Sequence, residues 1–270
     1  MGGAYSDNTN SSLSVSASSV IIKGNAYVGG LCGHANNIQV KNCSNENSTI
    51  SATGYISADG VNYAYLGGYV GWGYSVSNCI NAVEINYTNI GYCVGGIIGC
   101  ATQNISACEN RAKVSGKERV GGIAGNAQPS GSATYSNLTN SGKVTGAGNS
   151  VGGIIGRLYN NIVSQTNFTV TIKLCDNSGD VNGINYVSGL FGYIRCNNDW
   201  NSLYSISIYA TDLTNTGNVS GNNNVGGLSG YISSDSTSSS LISYSSTGKV
   251  TATGTPFDDY FAYNYNVKIS

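Results

Sequence analysis

The 270-residue chain is poor in charge: 9% of its residues are Asp, Glu, Lys or Arg, and the formal net charge is −1. Without clustered Lys and Arg there is no phosphate-neutralising face, so a nucleic-acid partner is not expected. No apolar run reaches the roughly 18 residues of a membrane-spanning helix, so no membrane span is expected. The Met1-Gly2-Gly3-Ala4 start lacks the basic and apolar segments of a secretory signal. No C-terminal anchor signal is visible, and the chain is expected to be either a fragment of a longer secreted protein or a chain with its targeting parts removed. Nor does any stretch of ten or more residues carry the 3.6-residue apolar period of a helix. His34 is the only His, and no Cys-x-x-Cys occurs. Those absences leave no metal-ligand pattern, and neither a metal nor a cofactor is expected.

Low charge here does not mean disorder, because 40% of the residues are hydrophobic and 20 are Tyr. What the chain has in quantity is Gly (38), Ser (38), Asn (35) and Thr (19). Gly, Ser and Asn form turns readily and helices poorly.

A repeat runs through the chain. Its strongest element, Val-Gly-Gly-apolar-x-Gly, begins at Val28, Leu66, Val94, Val120, Val151, Val187 and Val225. The spacing between copies is loose while the motif is nearly constant. A second element, Cys/Leu-x-Asn-x-Gly-x-Val-x-Gly, is clearest from Leu138, Cys175 and Leu213, with variants from Cys43, Cys79, Cys108 and Tyr244. A third is a short alternating stretch just upstream, such as Ile38-Gln39-Val40, Asn104-Ile105-Ser106, Thr171-Ile172-Lys173 or Ile206-Ser207-Ile208. Three short apolar-bearing segments per repeat, separated by turn residues, read as three short strands. Strands this short bury an apolar side only by stacking on like strands about 4.8 Å away. The expected fold is therefore all-β: a β-solenoid, or β-helix, of about seven to eight three-strand coils. Parallel-crossover rules favour a right-handed coil. It forms a single repeat domain over 1–270, with a partial or capping coil at 1–27, repeats at 28–254 and a C-terminal cap at 255–270.

Stacking turns each repeat position into a column. The first motif position (Val28, Leu66, Val94, Val120, Val151, Val187, Val225) and the fourth (Leu31, Tyr69, Ile97, Ile123, Ile154, Leu190, Leu228) are apolar throughout and are expected inside. Glu84, Lys113, Lys143, Asp180, Asn218 and Lys249 form a column expected to face water. Asn45, Asn81, Asn110, Asn140, Asn177 and Asn215 form a column suited to corners and to hydrogen bonding between coils. A row binding a ligand is the alternative.

Cys43, Cys79, Cys108 and Cys175 share one position with Leu138, Leu213 and Tyr244. The swap with Leu marks an apolar slot and favours buried thiols, with disulfides as the alternative. Cys196 lies in the polar run Arg195-Cys196-Asn197-Asn198-Asp199 and is expected to be exposed. His34 shares an outward column with Trp72, Cys100, Asn126, Arg157, Tyr193 and Tyr231, and no partner is singled out for acid–base or nucleophilic work. Asp176, Asp180 and Asp212 could approach one another on adjacent coils, as a glycosidase pair would require.

The alternation of VGGLxG-type segments with NxGxV resembles the GLUG motif repeat, from Val28 to about Gly254. That family occurs in bacterial cell-surface and secreted proteins, including non-catalytic regions of some immunoglobulin A-cleaving metalloproteases. The resemblance implies an extracellular or cell-surface, adhesin-like setting and no catalytic residues of the repeat's own.

Later repeats are lengthened over 157–168, 193–204 and 231–240. Insertions at one repeat position are expected to project from one corner as a loop surface carrying Tyr159, Tyr193, Trp200, Tyr204 and Tyr231. Aromatics beside Asn and Ser suit recognition of a glycan or a host or cell-surface protein. The function expected is a non-enzymatic structural or adhesin-like module. A self-assembling filament subunit, joined end to end, and a carbohydrate-active β-helix enzyme are the alternatives.

Overall fold

In the computed structural model the short apolar segments become strands, and each strand pairs in parallel with its counterpart one repeat away. The described residues are 3–5, 12–13, 16–18, 21–24, 27–46, 49–52, 64–87, 92–160, 167–196, 206–234, 236, 239–254, 257–258, 264–265 and 268–269. Among them there is no helix, and the strands form one sheet of 17 strands and two of eight.

One coil illustrates the path. Cys93–Gly95 lies in one eight-stranded sheet, and the Gly96-Ile97 corner then turns the chain into the long sheet. There it runs as Ile98–Ala101 and Ile105–Asn110, and Val114–Gly116 in the other eight-stranded sheet completes the coil. The next coil repeats this in register: Val94 pairs with Val120, Ile98 with Ala124, Ile105 with Tyr135 and Val114 with Val144. Each coil thus visits three sheets, and the long-sheet passage is either one strand, as in Cys32–Glu46, or two. At the ends, Ile21–Gly24 pairs with Thr49–Ala52, and Phe257 continues the Val column beside Val225.

The expected columns are present. The Val/Leu column from Val28 to Val225 is buried, and so is most of the Ile/Leu column, from Tyr69 to Leu228. They do not share a core, however. The Ile/Leu column belongs to a wide lobe between the limbs of the long sheet. The Val column belongs to a narrow lobe, where it meets Val114, Val144, Val181 and Val219. The motif changes lobes at its Gly-Gly, which is why two apolar positions three residues apart both point inward.

The Asn column forms the partition between the lobes. Asn45, Asn81, Asn110, Asn140 and Asn177 each donate from Nδ2 to Oδ1 of the next Asn, at 2.8, 2.7, 2.7, 2.7 and 2.9 Å. In Asn81, Asn110, Asn140 and Asn177 the second Nδ2 hydrogen goes to the carbonyl two residues on, for example Asn140 to Gly142 at 2.8 Å and Asn177 to Gly179 at 2.7 Å. These amides are buried, so every bond they keep spares an unpaired polar group. The second Gly of the motif is required by this partition. A Cβ on Gly153 would overlap the Gly189 carbonyl and the Asn177 amide.

The charged column is exposed throughout, and Glu84 pairs with Lys113 at 3.2 Å on the surface. Tyr135, fully buried in the wide lobe, sits in a coil that supplies Ala124, Ala127 and Ala133. Three small residues in the same coil and the same core leave volume for the large ring.

Two sequence expectations need correction. Cys196 is buried, because it follows Ile194 on the inward-facing side of Phe191–Cys196; its polar neighbours in sequence misled the reading. In the third element, Ile206-Ser207-Ile208 is not the counterpart of Thr171-Ile172-Lys173: Ile172 pairs with Ala210, while Ile206 pairs with Phe168. The added residues lengthen the strands Phe168–Asn177 and Ile206–Asn215, so the small Ala210 occupies the column.

Candidate functional site: an arginine–tyrosine groove

Two columns face each other across the Val-Gly-Gly-x-x-Gly arch. One is the position just before the Val: Tyr27, Tyr65, Cys93, Arg119, Ser150, Tyr186 and Asn224. The other lies seven residues later: His34, Trp72, Cys100, Asn126, Arg157, Tyr193 and Tyr231, paired in register from coil to coil. The second column is therefore continuous, as expected, but it is not uniformly outward: Cys100 and Asn126 are buried, and the Asn126 amide donates to the Cys100 sulfur at 3.3 Å. The rest of that column is half-buried because the facing column shields it.

Arg119, Ser150, Tyr186 and Asn224 all adopt left-handed backbone, with φ of 49, 63, 54 and 53°. Such angles are uncommon for residues other than Gly, and the side chains of Arg119, Ser150 and Tyr186 line the groove.

At the N-terminal end the groove is aromatic. Tyr27 stacks on Tyr65 at 5.2 Å and on His34 at 5.5 Å, and His34 meets Trp72 edge-on at 4.5 Å. Burial holds His34 below its ordinary pKa, and its Nε2 has no hydrogen-bond partner among the described residues. In the middle lie Cys93 and Cys100. Burial raises both thiols, Cys100 to about 11, which leaves them protonated and unreactive at neutral pH.

The C-terminal half is the most elaborated part. On adjacent strands, Arg157 pairs in register with Tyr193, and Tyr159 with Arg195. Positions two apart on a strand share a face, so these four form a two-by-two checkerboard of Arg and Tyr. The Arg157 guanidinium lies over the Tyr159 ring at 3.9 Å and reaches Tyr193 at 5.8 Å, while Arg195 reaches Tyr159 at 5.9 Å. Tyr193 stacks on Tyr231 at 4.6 Å with planes 6° apart, and Tyr186 meets both rings edge-on. One coil earlier, Arg119 lies over Tyr92 at 3.8 Å and donates to its hydroxyl at 2.6 Å. Between Arg119, Ser150, Arg157, Tyr186 and Tyr193 is an open groove of about 320 Å³. Burial, then the neighbouring Arg119 charge, lowers the basicity of Arg157, and burial raises the Tyr193 phenol.

Of the five aromatic residues expected on corner loops, the structure brings Tyr193 and Tyr231 into contact and links Tyr159 to them through Arg157. They are not on loops: Ile155–Asn160, Phe191–Cys196 and Ser229–Ser234 are strands, since inward Leu158, Ile194 and Ile232 alternate with them. Trp200 and Tyr204 lie outside the described residues. Sequence reasoning missed Arg119, Tyr186, Tyr92 and Arg195. The constant seven-residue offset across the arch was the signal that would have paired Arg119 and Tyr186 with the second column.

The acidic trio separates. Asp176 and Asp212 line one shallow depression of about 390 Å³, whereas Asp180 caps a corner, accepting from the backbone and side-chain amides of Asn218. All eight Cys are buried, and the repeated ones donate to the carbonyl two residues back, as Cys79 does to Ser77 and Cys108 to Ser106.

The ladders, the two lobes and the arch define the class: a parallel β-solenoid repeat module. More particularly, a family model described as the GLUG motif matches residues 24–51, the segment that holds the first Val-Gly-Gly-x-x-Gly copy. The later copies stack on that segment in register. No curated protein and no solved structure matches the chain.

Proposed function

We propose that this chain is a non-enzymatic structural module of an extracellular or bacterial cell-surface protein, and that its groove binds a glycan or a surface protein. The observation that carries this reading is the Tyr193–Tyr231 stack beside the Arg157–Tyr159 pair, all mounted on ladder strands. Rigid aromatic planes supply contact area at little cost in side-chain entropy. Neighbouring Asn149 and Ser150 add polar groups at the rim. A glycan array probed with the wild-type chain and with Tyr193→Ala/Tyr231→Ala tests it. Binding by the wild type that falls at least about tenfold in the folded double variant is expected, the loss of two stacked planes. No glycan and no cell-surface protein bound by the wild type rejects the reading.

A further inference from the structure

We infer that the groove between Arg119 and Arg157 is a subsite for the carboxylate of an acidic sugar, such as a uronate within a polysaccharide. The inference rests on the binding role proposed above and names its ligand class.

The chain has only four Arg, and three of them, Arg119, Arg157 and Arg195, lie in this one cluster. Arg is commonly balanced by a carboxylate or stacked on an aromatic face, and only a carboxylate neutralises its charge. Among the described residues the ion pairs are Arg111–Glu109 and Lys113–Glu84, and neither Arg119 nor Arg157 takes part. Among the described residues the one acid lining the groove, Glu118, has its side chain beside Gly148 on the next coil and pairs with neither. Two half-buried cations are thus held near each other with no counter-ion among the described residues.

They are held by tyrosine faces. A guanidinium held against a ring can still turn N–H donors toward a planar, two-oxygen acceptor. Arg119 spends one terminal nitrogen on the Tyr92 hydroxyl and is also hydrogen-bonded to the Cys93 side chain, which together fix its fork, while Arg157, held over Tyr159, lines the groove. An anion between Arg119 and Arg157 would relieve their repulsion and satisfy both.

The surroundings favour a sugar over an acidic peptide. A peptide gains affinity on a β-protein mainly by adding a strand at a sheet edge. This groove lies on strand faces within the stack, where the neighbouring strands are already paired on both sides. It offers ring planes, the Ser150 and Asn149 side chains and phenol hydroxyls, which match a pyranose face and its hydroxyls. Its volume is at the lower end for small-ligand clefts.

The test is calorimetric titration of the whole chain with four probes: oligogalacturonate, its carboxyl-reduced neutral counterpart, a dextran sulfate oligosaccharide and poly-glutamate. Arg157→Gln and Arg119→Gln are compared with Arg111→Gln, an exposed control outside the groove. Circular dichroism melts establish that each variant is folded. The expected result is preference for oligogalacturonate, weakened at least about tenfold by either groove variant and unchanged by the control. Equal binding of the carboxyl-reduced probe, with the groove variants unaffected, overturns this inference while leaving the glycan-binding role standing. Preference for dextran sulfate would show charge alone at work, and equal binding of poly-glutamate would show a peptide site; either overturns it. Failure of all three saccharides overturns it together with the glycan form of the proposed role.

Discussion

In the narrow lobe, the coils from Val94 to Val225 place Val in one column and meet Val114 to Val219 in the facing sheet. In the wide lobe, a single column runs Val40, Val76, Ile105, Tyr135, Ile172, Ala210, Leu241. The difference follows from how many neighbours can adjust. A wide-lobe position has several side chains across from it, so a large residue in one place is offset by small ones nearby, as Tyr135 is by three Ala. In the narrow lobe the neighbours include Gly116, Gly146, Gly183 and Gly221, whose missing side chains are already filled by Val methyls. Volume there has no second place to go.

The partition joining the two lobes should be the most sensitive element. Asn140 accepts from Asn110, donates to Asn177 and donates to the Gly142 carbonyl. Asn140→Ala leaves all three groups without that partner in a site closed to water, and about 3–5 kcal/mol of destabilisation is expected. Asn45, at the edge of the column, has its ladder contact with Asn81 on one side, so Asn45→Ala should cost clearly less. Urea unfolding of the two variants measures the gap. Equal losses would mean that the amide ladder is not a cooperative partition.

A matched addition of one carbon compares the lobes directly. Val120→Leu adds a methylene to the narrow lobe, where the Val94 and Val120 methyls already occupy the space beside Gly116, and about 1–3 kcal/mol of destabilisation is expected. Cys108→Val adds similar bulk to the wide lobe, in a column that already accepts Leu138 and Leu213. It should cost less than about 1.5 kcal/mol. Thermal or urea unfolding of both would reverse the picture if Cys108→Val proved the more damaging.

Much of this architecture could be read from repeated letters. Like residues recur wherever like environments stack, so the Val, Ile/Leu, Asn and charged columns all emerged as rows of similar residues. The lobes did not, because burial makes Val120 and Ile123 equally apolar whether they face one core or two. Register failed where added residues lengthened a strand: the alternation of Ile206-Ser207-Ile208 imitates the true counterpart, while Ala210 hides it. The groove was half legible. Tyr159, Tyr193 and Tyr231 stood out as aromatics in lengthened repeats, but length was read as loop, and so strand-borne partners such as Arg195 were overlooked. Its other wall depends on non-Gly residues in left-handed backbone, a conformation that side-chain identity at Arg119 or Tyr186 does not announce.

The smallest expected effect compares the groove's two ends. The C-terminal end carries permanently charged Arg157 and Arg195, whereas the N-terminal end carries His34 between Tyr27 and Trp72. Burial lowers the His34 pKa in the folded chain from the ordinary 6.5. The unfolded chain therefore takes up the proton first as pH falls, and unfolding is favoured. The stability linked to His34 is fully present above about pH 6.5 and is lost as pH drops from there through the lower folded value. Because the ring is only half-buried, the change should be modest. It should vanish in His34→Phe, which keeps a ring beside Tyr27 and Trp72 without a titrating nitrogen. Denaturant unfolding of both proteins between pH 4.5 and 7.5 isolates it as the difference between two curves. A wild-type curve that runs parallel to the variant's across that range would mean that His34 titrates alike folded and unfolded, and that the aromatic end of the groove is wetter than its packing implies.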